Sequence, residues 1–286
     1  MTSNTNTNDY VNDIIVINNS KILVANTSCC SILKKVLSKI ATLIFDEPAH
    51  SNFSCNFSCS FIFDATGLKI NELSDSKSTH INFFISATRF DYYKCTDSIT
   101  ISIDLRFLNN FFREVCTNHF ISFYINENNK DKLYVESLNT DADNKCIGNC
   151  CELNNIEHNQ LRAPTPKVTF DYTFCVPLND FGNFCRSLKR NKIDAVEISA
   201  CDGTMMLSGR YTSGVIRTTY NNCLTKKTDQ LYNRCFELKT LAELSDSNLL
   251  CNTIDFNLKN DYPLCLVLGV GTLGKLRVLI SPIEFN

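Results

Sequence analysis

The order of elements in this chain repeats. Phe61-Ile-Phe-Asp-Ala-Thr-Gly67-Leu-Lys-Ile follows a helical segment in the first half, and Val196-Glu-Ile-Ser-Ala-Cys-Asp-Gly203-Thr-Met-Met follows another in the second. Each string is an apolar run, a turn carrying Asp and Gly, and a second run, which is hairpin chemistry. A duplicated unit of two helices and many antiparallel strands is the expectation, an α+β class with two similar domains. The 286 residues are enough for two cores.

The first helix is read over residues 31–40, with Ser31 as N-cap and Ile32, Leu33, Val36, Leu37 and Ile40 at helical spacing. Strands are expected at 57–63, 68–73 and 81–88, then a helix at 105–116 that buries Leu105, Leu108, Phe111, Phe112 and Val115, then strands at 120–125 and 132–137. A polar stretch follows that reads as a linker. The expected division is an N-terminal domain over 1–138, with an extension of about 20 residues and a first strand at 13–17, a linker over 139–165 and a C-terminal domain over 166–286. The second unit is expected to hold a strand at 170–175, helices at 178–190 and 238–244, and terminal strands.

Apolar residues make up 44% of the chain and charged residues 20%, a globular composition. The formal net charge of −2 gives no overall pull toward nucleic acid, so any such contact must come from cations gathered on one surface. Sixteen cysteines would suggest a disulfide scaffold in a small secreted protein. This chain is large and residues 1–9 lack a signal peptide's basic and apolar regions, so free thiols in a reducing, intracellular setting are expected. No apolar run approaches the roughly 18 to 20 residues that span a bilayer, and no membrane partner is expected.

Several strings resemble one family. Ser31-Ile-Leu-Lys-Lys-Val-Leu37 is similar to the first helix of proliferating cell nuclear antigen, and Phe90-Asp-Tyr-Tyr-Lys-Cys95 to the family's Phe-Asp-x-Tyr-x-Cys strand ending. Leu161-Arg-Ala-Pro164 stands where the family has Leu-Gly-Ile-Pro at the linker's end. Phe181-Gly-Asn-Phe-Cys-Arg-Ser-Leu188, Asp261-Tyr-Pro-Leu264 and Ile280-Ser-Pro282 resemble its third helix and C-terminal strands. The matches run in order from about residue 20 to 286. The resemblance implies a DNA sliding clamp: a non-enzymatic homotrimeric ring, with antiparallel sheets outside and α-helices lining a central hole for duplex DNA. It also implies a nuclear location, or a cytoplasmic replication site for a viral source.

Such a ring must attract phosphates without reading bases. Lys34, Lys35 and Lys39 on the first helix, Arg106 and Arg113 on the second, and Arg186, Lys189, Arg190 and Lys192 around the third are the candidates. Lys35/Lys39 and Arg186/Arg190 are each four apart and so share a helix face. The fourth helix departs from this pattern, since Glu243 and Asp246 accompany Lys239 and predict a neutral or acidic face. The family also implies an apolar pocket that captures short motifs of polymerases, the clamp loader and repair factors. By position its walls are His80, Ile81, Phe83, Leu161, Ala163, Pro164, Pro263, Leu279 and Pro282. Leu279 stands where an aromatic is usual and Glu237 where a small alanine is usual. Ring closure is expected to use edge strands near residues 107–125 and 172–190.

Competing motifs are weak. Gly269-Val-Gly-Thr-Leu-Gly274-Lys275 matches a dinucleotide or phosphate loop in spelling, but no room remains for the required helix, so a hairpin turn is expected. Cys146, Cys150, Cys151 and His158 follow no established zinc spacing, and no cofactor or metal is expected. The four histidines form no catalytic constellation. The remaining alternative is a subunit of a heterotrimeric checkpoint-type clamp.

Overall fold

The computed structural model describes residues 20–45, 57–140, 146–156, 168–246 and 251–283. The first run of elements is β1 (Lys21–Thr27), α1 (Cys30–Ile44), β2 (Ser58–Asp64), β3 (Gly67–Leu73), β4 (Thr79–Ser86), β5 (Tyr92–Cys95), β6 (Ile99–Asp104), α2 (Leu105–Glu114), β7 (Phe120–Asn126), β8 (Asn129–Thr140) and β9 (Cys146–Asn154). The second run is β10 (Tyr172–Pro177), α3 (Leu178–Arg190), β11 (Ala195–Cys201), β12 (Thr204–Tyr211), β13 (Gly214–Tyr220), β14 (Cys223–Lys226), β15 (Tyr232–Glu237), α4 (Leu238–Ser245), β16 (Thr253–Leu258), β17 (Leu264–Val270) and β18 (Gly274–Ile280). The two runs have one and the same order.

Helix α1 begins before Ser31, with Cys29 at the N-cap and no side-chain cap bond, so Ser31 sits inside the first turn. The helix outlasts the expected end because Leu43 and Ile44 continue its buried stripe. Helix α2 is capped by Asp104, whose side chain accepts from the Phe107 N–H at 2.9 Å. Its end at Glu114 is two residues short of the expected one. Helix α3 matches its expected span and stops where Lys192 turns left-handed, at φ 55°. The expected strand at 13–17 lies outside the described residues.

The strands form three antiparallel sheets. One has the order β5-β1-β7-β8-β9, another β13-β12-β11-β15, and a nine-stranded sheet runs β14-β10-β16-β17-β18-β4-β3-β2-β6. The duplication explains this: β14-β10-β16-β17-β18 is the second run's copy of the five-stranded order, and β4-β3-β2-β6 is the first run's copy of the four-stranded order. The nine-stranded sheet exists because β18 pairs with β4 over seven positions, from Gly274 opposite Ile85 to Ile280 opposite Thr79. Leu276, Val278, Phe83 and Ile81 turn inward from this seam and are wholly buried.

The polar stretch expected to run as a linker from 139 is partly a strand, since β9 pairs with β8 from Lys132 opposite Asn154 to Thr140 opposite Cys146. Its Cys151 and Leu153 alternate inward while Cys150 and Glu152 face out. The glycine-rich string near the C-terminus is the β17–β18 turn. Gly271 has φ 49°, and a Cβ there would come within 2.6 Å of the Ile32 side chain, so the turn seats on the start of α1. In the other hairpin Asp202 and Gly203 both have positive φ, 52° and 78°, as a two-residue turn between β11 and β12 requires.

Phe83→Ala, at the centre of the β18–β4 seam, should cost about 3–5 kcal/mol of stability, read as a shifted urea midpoint. The seam makes one cooperative body of both runs, so a single transition should move as a whole.

Candidate nucleic-acid interface and chain edges

The four helices form a row, α2-α1-α4-α3, and a cation stitches each junction. Lys34 of α1 donates to the Val115 carbonyl at the end of α2. Lys39 of α1 donates to the Glu243 carbonyl of α4 at 2.7 Å, lies 3.5 Å from the Glu243 carboxylate, and is only 15% exposed. Arg186 of α3 lies 3.8 Å from the Asp246 carboxylate just beyond α4, and donates to Asn183 Oδ1 at 2.8 Å. Arg106 stacks over the Phe57 ring at 4.1 Å. Four of the nine proposed DNA contacts thus already have partners within the chain.

Lys35, Arg113, Lys189, Arg190 and Lys192 make no ion pair or side-chain hydrogen bond among the described residues, and all but half-buried Lys35 are exposed. Lys189 and Arg190 occupy the last turn of α3, where a helix dipole favours cations. The acidic groups at α4 do not stand alone, because Lys39 balances Glu243 and Arg186 balances Asp246.

The expected peptide pocket is only partly a surface. In the β4–β18 register His80 stands opposite Leu279, on the other face of the sheet from Ile81 and Phe83; His80 is half-buried and Leu279 is 8% exposed. Ile81 and Phe83 lie opposite Val278 and Leu276, are fully buried, and cannot touch a partner, so the expectation for these two is corrected. Pro263 is half-buried and Pro282 exposed, while Leu161, Ala163 and Pro164 lie outside the described residues. His80 Nε2 contacts Asn71 Oδ1, and burial lowers the imidazole pKa, which keeps His80 neutral near pH 7. Glu237 is exposed at the start of α4.

The edges expected near 107–125 and 172–190 are not edges. Strand β7 is paired on both sides, by β1 and β8, and β10 by β14 and β16, while the rest of each segment is largely helix. Among the described residues the long open edges are β9 and β13, each paired on one side only. Edges β6 and β15 are covered: the Ile156 N–H bonds the Ser102 carbonyl at 2.8 Å, and the Ile283 N–H bonds the Cys235 carbonyl at 2.8 Å. Edges β5 and β14 have four residues each. The alternation in Asn149-Cys-Cys-Glu-Leu153 was the sequence signal for β9, masked by its polar outward half.

No group of three metal-ligating side chains occurs among the described residues. Adjacent in β9, Cys150 is exposed and Cys151 buried, and His158 lies outside the described residues. Burial pushes the thiols of Cys151 and Cys265 up to about 11 and that of Cys185 to about 12, which keeps them protonated.

Residues 22–160 match the family model described as proliferating cell nuclear antigen, N-terminal domain. An Acanthamoeba polyphaga mimivirus protein described as "Probable DNA polymerase sliding clamp" is 31% identical over 222 residues, which cover 76% of this chain and 47% of that protein. The chain therefore spans about half the length of that relative. "Probable DNA polymerase sliding clamp 1" of Paramecium bursaria Chlorella virus 1 is 23% identical, over 77% of this chain and 86% of its own length. The "Proliferating cell nuclear antigen" of Chaetomium thermophilum is 24% identical, over 91% and 98% respectively. With its duplicated antiparallel fold, its row of helices and these relatives, the chain belongs to the proliferating cell nuclear antigen family of DNA sliding clamps.

Proposed function

We propose that this chain is one subunit of a ring that encircles duplex DNA and tethers a DNA polymerase to it. One observation carries the reading: β18 and β4 pair within the chain, while their counterparts in the other run, β9 and β13, are left as long open edges. A chain with two complementary edges joins copies of itself head to tail, and such an interface gives a ring when the rotation closes. Two repeats per chain and the six repeats that the family resemblance implies make a homotrimer. Each chain comprises a first clamp domain ending near β9, a connecting segment and a second clamp domain from about β10. A heterotrimeric checkpoint-type clamp is the second reading. It would leave the same two edges on each chain, and the native mass of the isolated chain separates the two readings: a trimer of this chain alone supports the homotrimer, a lone monomer the heterotrimer.

The helix row supplies the hole's lining in this reading. Lys35, Arg113, Lys189 and Arg190 meet phosphates, with Lys192 at the rim, while Lys34, Lys39, Arg106 and Arg186 hold the helices in place. Mobile cations at few points suit sliding, because each phosphate contact is weak, screened by salt and blind to sequence. The work is tethering and involves no bond making, so the chain is read as non-catalytic. It operates where its polymerase copies DNA, in the nucleus or at a viral replication site.

Partner capture belongs to the outward face of the β18–β4 seam, where His80, Leu279, Pro263 and Pro282 cluster by register and proximity in sequence. Neutral His80 and apolar Leu279 suit a short segment with apolar anchors and a polar rim.

The test is synthesis by a clamp-dependent polymerase with a clamp loader, on a circular primed template and on a linear one. The expected result is long products on the circle alone, and equal lengths on both would overturn topological tethering. Lys35→Glu, Arg113→Glu and Arg190→Glu combined should shorten products at least tenfold near physiological salt, whereas Lys39→Gln should act mainly through stability.

Leu279→Glu should weaken capture of a polymerase-derived peptide about tenfold or more, measured by fluorescence anisotropy. Unchanged affinity with an intact fold would place the docking site elsewhere.

A further inference from the structure

The duplication allows the unmade seam to be read from the made one, on the assumption, argued above, that copies join through β9 and β13. Within each run the strand pairings correspond. Phe123–Val135–Cys151 is the first run's chain of cross-strand partners, and Phe256–Leu266–Val278 is the second's. Cys151 therefore stands for Val278, a match extended by Ile156 and Ile283, which clasp β6 and β15 five residues farther on. On the other side, Leu68 pairs with Ile85 as Met205 pairs with Tyr220, so Ile216 stands for Ile81 and Thr218 for Phe83.

Carried across, the internal pairs Leu276/Phe83, Val278/Ile81 and Ile280/Thr79 become Asn149/Thr218, Cys151/Ile216 and Leu153/Gly214 between chains. On the outer face, Arg277/Asn82 becomes Cys150/Arg217. The helix junction changes in the same direction. Leu33, Leu37 and Ile40 of α1 correspond to buried Phe181, Cys185 and Leu188 of α3, so Ser187 replaces Lys39. Leu105 and Leu108 of α2 correspond to Leu238 and Leu241 of α4, so Asn110 replaces Glu243. The internal ion pair has no counterpart there. One large apolar group remains at this junction: Phe107, one turn from Asn110 and 55% exposed in the single chain.

We propose that the seam between subunits repeats the internal seam in register, with Cys150 opposite the partner subunit's Arg217, but has smaller inward side chains and lacks the Lys39–Glu243 ion pair at its helix junction. It is the ring's weak joint. The closed ring therefore dissociates measurably on dilution. Thr218, Asn149 and Cys151 in place of Phe83, Leu276 and Val278 lower the apolar surface that the seam buries, while Ile216 and Leu153 keep the apolar character of Ile81 and Ile280.

Two measurements test this. Arg217→Cys, mildly oxidised, should form covalent multimers through native Cys150. Adding Cys150→Ser should abolish them, and Thr219→Cys, one step along the same face, should give few. Second, sedimentation over a dilution series should give a measurable dissociation constant. Asn149→Leu with Thr218→Phe, or independently Ser187→Lys with Asn110→Glu, should lower it about tenfold or more. A trimer without the Cys150-dependent cross-link overturns the register. A dissociation constant unmoved by both repaired pairs overturns the weak joint. A chain that stays monomeric at tens of micromolar overturns this inference together with the ring reading on which it rests.

Discussion

The pairing of β18 with β4 is the interaction on which the rest of the structure depends. It welds a five-stranded sheet from one run to a four-stranded sheet from the other, and it buries Leu276, Val278, Phe83 and Ile81 in one continuous core. The same pairing fixes the outward face where His80 meets Leu279. It also seats the β17–β18 turn on Ile32, so that the sheet seam and the helix row are aligned by one contact set. Because the runs are duplicates, a seam made once inside the chain leaves its complement unmade at the ends.

The cations of the helix row divide into two kinds of work. Lys34, Lys39 and Arg186 satisfy carbonyls or carboxylates of neighbouring helices, and Arg106 covers an aromatic ring. Lys34, Lys39 and Arg106 are partly buried, where an unpaired charge would be costly, while Arg186 is exposed. Among the described residues the others make no ion pair or side-chain hydrogen bond, and all but half-buried Lys35 are exposed. A net charge of −2 is compatible with this division, since acidic residues such as Glu243 and Asp246 are spent on the stitches.

Much of the fold was legible in residue order. The repeated hairpin strings, the spans of all four helices and the hairpin reading of Gly269–Gly274 agree with the structure within a few residues at each end. The misses share a cause. Strand β9 reads as linker in sequence because only alternate residues of a half-exposed edge are apolar, and Asn149, Cys150 and Glu152 obscure Cys151 and Leu153. Ile81 and Phe83 fall at the expected pocket by position yet are buried, because position along the chain does not say which way a strand's side chains point.

Sequence by itself determined that the chain is a duplication, where its helices lie, and which family it resembles, because periodicity and local motifs are properties of neighbouring residues. Tertiary structure alone decided which lysines and arginines are available and which strand edges are open. Both depend on partners more than 200 positions away, as with Lys39 and Glu243, or on whether a second strand happens to lie alongside. No local pattern encodes such a distance, and it is there that the difference between a closed seam and an open one arises.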